Sequence, residues 1–100
     1  LFRQFFQTNK DIIRKVAFTD GVTTVCDSIL KGGTKISSIS LPETVTSIGS
    51  SAFFGCSNLE AITIPYGVTS IGKSAFEGCT NLEKVVLGPN GDPMVKLDGT

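Results

Sequence analysis

Apolar residues return along this chain at one fixed spacing. From Pro42 onward they fall at Val45, Ile48, Ala52, Phe53, Cys56, Leu59, Ile62 and Ile64. From Pro65 the same order repeats as Val68, Ile71, Ala75, Phe76, Cys79, Leu82, Val85 and Leu87. Aligned as 42–64 and 65–87, the two segments share 14 of 23 positions, where unrelated segments of ordinary composition share about one or two. A repeat of this length specifies a solenoid. Each copy is one layer that cannot bury its apolar face alone and must stack on the next.

Within a copy the pattern predicts the elements. Residues 60–64 alternate polar and apolar, which reads as a short strand burying Ile62 and Ile64. Pro65 ends it, because proline cannot donate to a ladder. Residues 68–71 form a second short alternating run that buries Val68 and Ile71, and Gly72 then turns the chain. Ser74, like Ser51 and Ser28 in the earlier copies, is predicted to N-cap a single helical or 3₁₀ turn. Gly78 closes that turn in a left-handed conformation. Stacking then places strands near 14–18, 37–41, 60–64 and 83–87 in one parallel sheet, about 4.8 Å apart.

The register continues backwards in weaker form. Segment 19–41 keeps Val22, Thr23, Ser28, Gly32 and Ile39, and replaces Ile48, Phe53, Leu59 and Ile64 by Val25, Leu30, Ile36 and Leu41. Residues 1–18 admit two readings. One is a degenerate repeat with Ile13, Val16 and Phe18 on core positions. The other, favoured, is an amphipathic helical cap with Leu1, Phe2, Phe5 and Phe6 on one face. After Leu87 the register is lost: Gly91 stands where a core valine belongs, among turn signals. Residues 88–100 are a C-terminal cap or a tail. The expected organisation is one repeat domain over 1–100.

Composition removes several functions. Lys plus Arg equals Asp plus Glu at nine each, so there is no electrostatic case for nucleic acid. No apolar run approaches the ~18 residues that cross a bilayer, so direct membrane insertion is not expected. Histidine is absent, which takes away the commonest general base and a common metal ligand. There is no phosphate-binding glycine motif. Glu60 and Glu83 stack as like charges at a wet edge, and Ser70 and Ser74 have neither base nor oxyanion partner. The reading is therefore non-enzymatic, with no cofactor. The chain starts at Leu1 without a methionine, as expected of a fragment or mature product, so the lack of a signal segment is uninformative.

The string I-P-x-x-V-T-S-I-G-x-x-A-F-x-G-C-x-N-L-E-x-V-x-I resembles the BspA-type leucine-rich repeat, closely over residues 41–87 and partially over 19–41. The resemblance implies a leucine-rich-repeat solenoid of α/β class, mostly β. It implies a right-handed stack with a parallel sheet on one face and short strands and 3₁₀ or helical turns on the other. Thr44 and Gly67 occupy the place of the asparagine in the commoner leucine-rich pattern, so no asparagine ladder is expected. The resemblance also implies a secreted or cell-surface setting in bacteria or protist parasites, adhesion to host or matrix proteins, and no common catalytic residues.

Candidate sites divide into shared and varying positions. Cys56 and Cys79 are repeat equivalents, read as a buried free-thiol ladder; Cys26, at the position of Gly49 and Gly72, is a substitution at a turn. Phe53 and Phe76 form an aromatic ladder with Leu30 as third rung. Asn58 and Asn81 are expected to bond backbone groups in the bend. Outward positions are free to vary and so carry the functional candidates. On the sheet face these are Lys15, Ser38, Ala61 and Lys84 in one row and Ala17, Ser40, Thr63 and Val86 in the next. Tyr66 and Phe54 add aromatics where other copies are polar, a residue type enriched at interfaces. The candidate protein-binding set is Tyr66, Lys84, Lys15, Ser38, Ser40, Ala61, Thr63 and Phe54. Two functions fit: a module binding a host or matrix protein through the sheet face, or a spacer without a ligand.

Overall fold

The computed structural model describes residues 2–87; the expected cap or tail at 88–100 lies outside the described residues. Its elements are a helix and seven short strands: α1 (Phe2–Asn9), β1 (Lys15–Ala17), β2 (Thr24–Val25), β3 (Ser38–Ser40), β4 (Ser47–Ile48), β5 (Ala61–Ile64), β6 (Ser70–Ile71) and β7 (Lys84–Leu87). Every pairing is parallel and joins residues one repeat apart: Val25 to Ile48, Ile48 to Ile71, Ile62 to Val85 and Val16 to Ile39. A one-residue slip would turn each apolar side chain outward, so burial locks the register.

The sheet differs from a single four-stranded ladder. The second runs form a continuous sheet β2-β4-β6, while the first runs form two separate pairs, β1-β3 and β5-β7. Strands β3 and β5 lie side by side without a ladder between them. The Ser37 and Glu83 amides donate to the Arg14 and Glu60 carbonyls at 2.8 and 2.9 Å. Among the described residues, no counterpart bond runs from Glu60 to Ser37.

Backbone bonds run in opposite senses on the two arms of each layer. On the strand arm, each layer donates backwards, as in Thr46 to Thr23 and Gly72 to Ile48, at 2.8 and 2.7 Å. On the turn arm, each donates forwards: Ser28, Leu30 and Gly32 amides reach Ser50, Ala52 and Phe54 carbonyls at 2.9, 2.8 and 2.7 Å. The turn arms are therefore stitched together as firmly as the strands, which satisfies the groups a loop would otherwise leave unpaired.

The predicted serine N-cap is corrected. Ser28, Ser51 and Ser74 sit in the left-handed region with φ of 57, 57 and 62°, whereas an N-cap residue is extended. Single turns follow, held by bonds such as Phe54 to Ser51 at 3.1 Å, and no helix propagates from them. Gly32, Gly55 and Gly78 are left-handed as expected, with φ of 83, 77 and 81°. Gly72 has another reason to be glycine: a Cβ there would stand 2.5 Å from the Ser50 nitrogen in the preceding layer. Cys26 holds the same position in the first repeat and is exposed, following β2, the edge strand of its sheet.

One apolar core fills the stack, from Phe6 and Val25 through Leu30, Ile48, Phe53 and Leu59 to Ile71 and Ala75. The Phe53 and Phe76 rings stand 5.4 Å apart and tilted by 42°, a favourable aromatic geometry. At the N-terminal end, α1 buries Phe6 completely and leaves Phe5 58% exposed. Adjacent helical residues point about 100° apart, so a helix this short covers the stack with one of the pair. A helix precedes a strand, β1, whose Val16 pairs with Ile39, and Ile13, Val16 and Phe18 pack half-buried on the core.

Candidate functional site

Polar residues outside the candidate set serve the stack. Thr46 and Thr69 hydroxyls donate to the Thr23 and Thr46 carbonyls at 3.2 and 3.4 Å. The Thr44 hydroxyl donates to the Val22 carbonyl at 2.7 Å and accepts from the Gly21 amide at 3.2 Å. A threonine thus bridges two layers at a position where the commoner repeat has asparagine. The Asn81 side chain donates to the Ser57 carbonyl at 2.8 Å, so it ties its bend to the layer before. Asp27 takes a role that the repeat pattern gives no sign of: its Oδ1 accepts from the Ser50 amide at 2.9 Å.

The thiols are likewise structural. Cys26, Cys56 and Cys79 are all free. Cys56 and Cys79 donate to the Leu30 and Phe53 carbonyls at 3.5 and 3.2 Å. Burial, with a smaller contribution from the neighbouring Cys79, pushes the Cys56 thiol up to about 12, and burial raises Cys79 also. A thiol held protonated in this way is a poor nucleophile at neutral pH. Among the described residues no group of three His, Cys, Asp or Glu side chains could hold a metal ion.

The varying positions assemble differently. A cleft of about 350 Å³ opens on the sheet face along the seam between β3 and β5. Ser40, Ala61, Thr63 and Lys84 line it, with Ile39 and Ile62 at its floor and Val86 beside them. Four of the eight predicted residues therefore share one cavity. Lys15 and Ser38 are register partners on the β1-β3 pair, in the same row but outside the cleft. Tyr66, 38% exposed in the turn after β5, does not line it. Phe54 lies on the turn arm with the Lys31 ammonium 5.3 Å from its ring centre, in a different cavity.

Stacked single-turn layers, parallel strands one repeat apart and an apolar ladder on each rung define a leucine-rich-repeat solenoid. The BspA type leucine rich repeat region, in six copies, matches residues 3–93. The chain belongs to this BspA-type family. A leucine rich cell surface protein of Faecalibacterium prausnitzii A2-165 has a similar structure, with 34% sequence identity and a TM-score of 0.66 over 75% of this chain. The similarity spans 20% of that protein's chain. No curated protein matches the sequence. No helix among the described residues is long and apolar enough to cross a membrane.

Proposed function

We propose that the chain is a non-enzymatic protein-interaction module of a cell-surface or secreted protein, and that it takes its partner, a host or matrix protein, at the sheet-face cleft. The observation that carries this reading is the coincidence of the seam with the variable positions. Where β3 and β5 fail to pair, the face opens, and the residues around the opening are those that the stack leaves free to change. Ser40 and Thr63 offer hydroxyls, Ala61 with its small side chain leaves room, and Lys84 supplies one cation. The similarity to a leucine rich cell surface protein supports the setting, and the partner's class rests on the family's associations.

A few strands give a small face. A standard interface covers about 800 Å² on each partner, so affinity from one such module is expected to be weak and to grow with repeated copies. The test is capture of purified matrix proteins by the immobilised chain, compared with Lys84→Glu and Thr63→Lys variants and with Glu77→Lys on the turn arm. Loss of capture in the first two alone supports the cleft. Capture that survives both, or no capture by any form with the fold intact, favours a spacer.

A further inference from the structure

A second cleft, of about 460 Å³, lies at the junction of α1 with the turn arms of the first two layers. Gln7, Lys10, Lys31, Gly32, Phe54 and Gly55 bound it, and it shares no residue with the sheet-face cleft. Two features set it apart. It holds two lysines and no carboxylate among its lining residues, in a chain with formal net charge zero. Its walls are mostly carbon, with the Phe54 ring where the other repeats place Glu77 and Lys31.

Gln7 links the two lysine-bearing segments. The Gln7 side chain donates to the Lys31 carbonyl at 3.2 Å and accepts from the Lys10 ammonium at 3.2 Å. In the later layers that carbonyl position is filled by a backbone amide: Gly55 donates to Glu77 at 2.8 Å. Gln7 thus stands in for a missing layer and anchors Lys10 at the same time. Gly32 leaves the floor bare, since a Cβ there would lie 3.4 Å from the Lys10 ammonium. Lys31 meets the Phe54 face at 5.3 Å, and its ammonium has no carboxylate partner among the described residues.

We propose that this cleft binds an acidic segment of a partner protein, taking one carboxylate between Lys10 and Lys31 and an adjoining apolar side chain against Phe54. Charge complementarity selects an anion, and the Lys10 ammonium, already held by Gln7, lowers the ordering cost of binding it. The carbon walls decide between anion sources. A bare phosphate or sulfate ion would satisfy the lysines and leave the aromatic wall uncovered, whereas a glutamate beside a phenylalanine or leucine uses both. The volume falls within the range of small-ligand pockets and admits one or two side chains.

The test titrates an acetylated pentapeptide, with two glutamates flanking a phenylalanine, into isotope-labelled protein at low salt. A glutamine version and a sulfated tetrasaccharide are the comparison probes. Expected are amide shifts confined to Gly32, Phe54, Gly55 and their neighbours. Affinity falls about fivefold for each of Lys10→Gln and Lys31→Gln, the scale of one exposed ion pair, and falls again in 0.5 M salt and in Phe54→Ala. Thermal unfolding of each variant shows that the fold is retained, and Phe54→Leu covers the case in which the alanine variant is unstable. Equal binding of the glutamine peptide, or shifts centred on Ala61 and Thr63, would overturn the proposal. So would tighter binding of the sulfated sugar that ignores Phe54→Leu, which would give the cleft to a glycan.

Discussion

Replacing Gly72 by alanine tests how the layers fit together. The added Cβ would stand 2.5 Å from the Ser50 nitrogen, 2.7 Å from the Gly49 carbonyl carbon and 2.8 Å from the Ser50 Cα. All three are backbone atoms, and carbon contacts prefer about 3.5–4.0 Å, so the layers must part by about 1 Å at this point. Parting stretches the Gly72 to Ile48 bond, now 2.7 Å, and the Ser51 to Lys73 bond, now 2.9 Å. Overpacking of this kind costs about 1–3 kcal/mol, and weakening a backbone bond adds about 1 kcal/mol. The sum, about 2–4 kcal/mol, is a large share of the 5–15 kcal/mol typical of a domain. At about 4–8 °C per kcal/mol for a domain of this size, melting followed by circular dichroism is expected to fall by about 8–32 °C. Cys26→Ala, at the same repeat position but following the edge strand β2, is expected to change stability by less than about 0.5 kcal/mol. A Gly72→Ala protein that melts within about 3 °C of the parent would refute the close-approach argument. A Cys26→Ala protein that falls as far would refute it equally.

Phe53→Ala removes a completely buried ring and is expected to cost about 3–5 kcal/mol by denaturant titration; Phe76→Ala, half-buried, should cost less. Ser51→Val forces a β-branched residue to hold φ of 57° and should lose about 1–2 kcal/mol, while Ser51→Gly should be neutral or stabilising. The thiols give a pH dependence. With the Cys56 value raised from 9.0 to about 12, the unfolded chain loses this proton first as pH rises, so between pH 9 and 12 the folded state binds more protons and stability falls. Cys56→Ala should flatten that slope in urea midpoints measured across the window; an unchanged slope would assign it to other groups. At pH 8 a disulfide reagent should find Cys26 at once and Cys56 only on unfolding.

The layer architecture is legible because stacking forces the same apolar residue types to recur at 23-residue spacing, as the runs ending in Leu41, Ile64 and Leu87 show. The outward rows are legible for the complementary reason: nothing in the stack fixes Ser38, Ala61 and Lys84. Other features follow from geometry that residue type does not encode. A serine before an Ala-Phe pair has the chemistry of an N-cap, and only the interlayer bonds from Ser28 to Ser50 and Ser51 to Lys73 reveal why it turns left-handed. Cys26 and Gly72 look like one position with an arbitrary change until the sheet order, with β2 at the edge and β6 behind β4, distinguishes them. The seam between β3 and β5 breaks a periodicity that the sequence keeps, so no pattern could place it. The cleft beside α1 joins Gln7 and Lys10 to Lys31 and Phe54, residues that belong to different copies and to none.

Amide hydrogen exchange followed residue by residue tests the seam, on which the proposed binding face depends. Ser37 and Glu83 amides, each bonded to the neighbouring strand arm, should be protected, and the equivalent Glu60 amide should exchange at least about tenfold faster, as expected of a locally open site. Protection of Glu60 equal to that of Ser37 and Glu83 would show one continuous sheet and contradict the account.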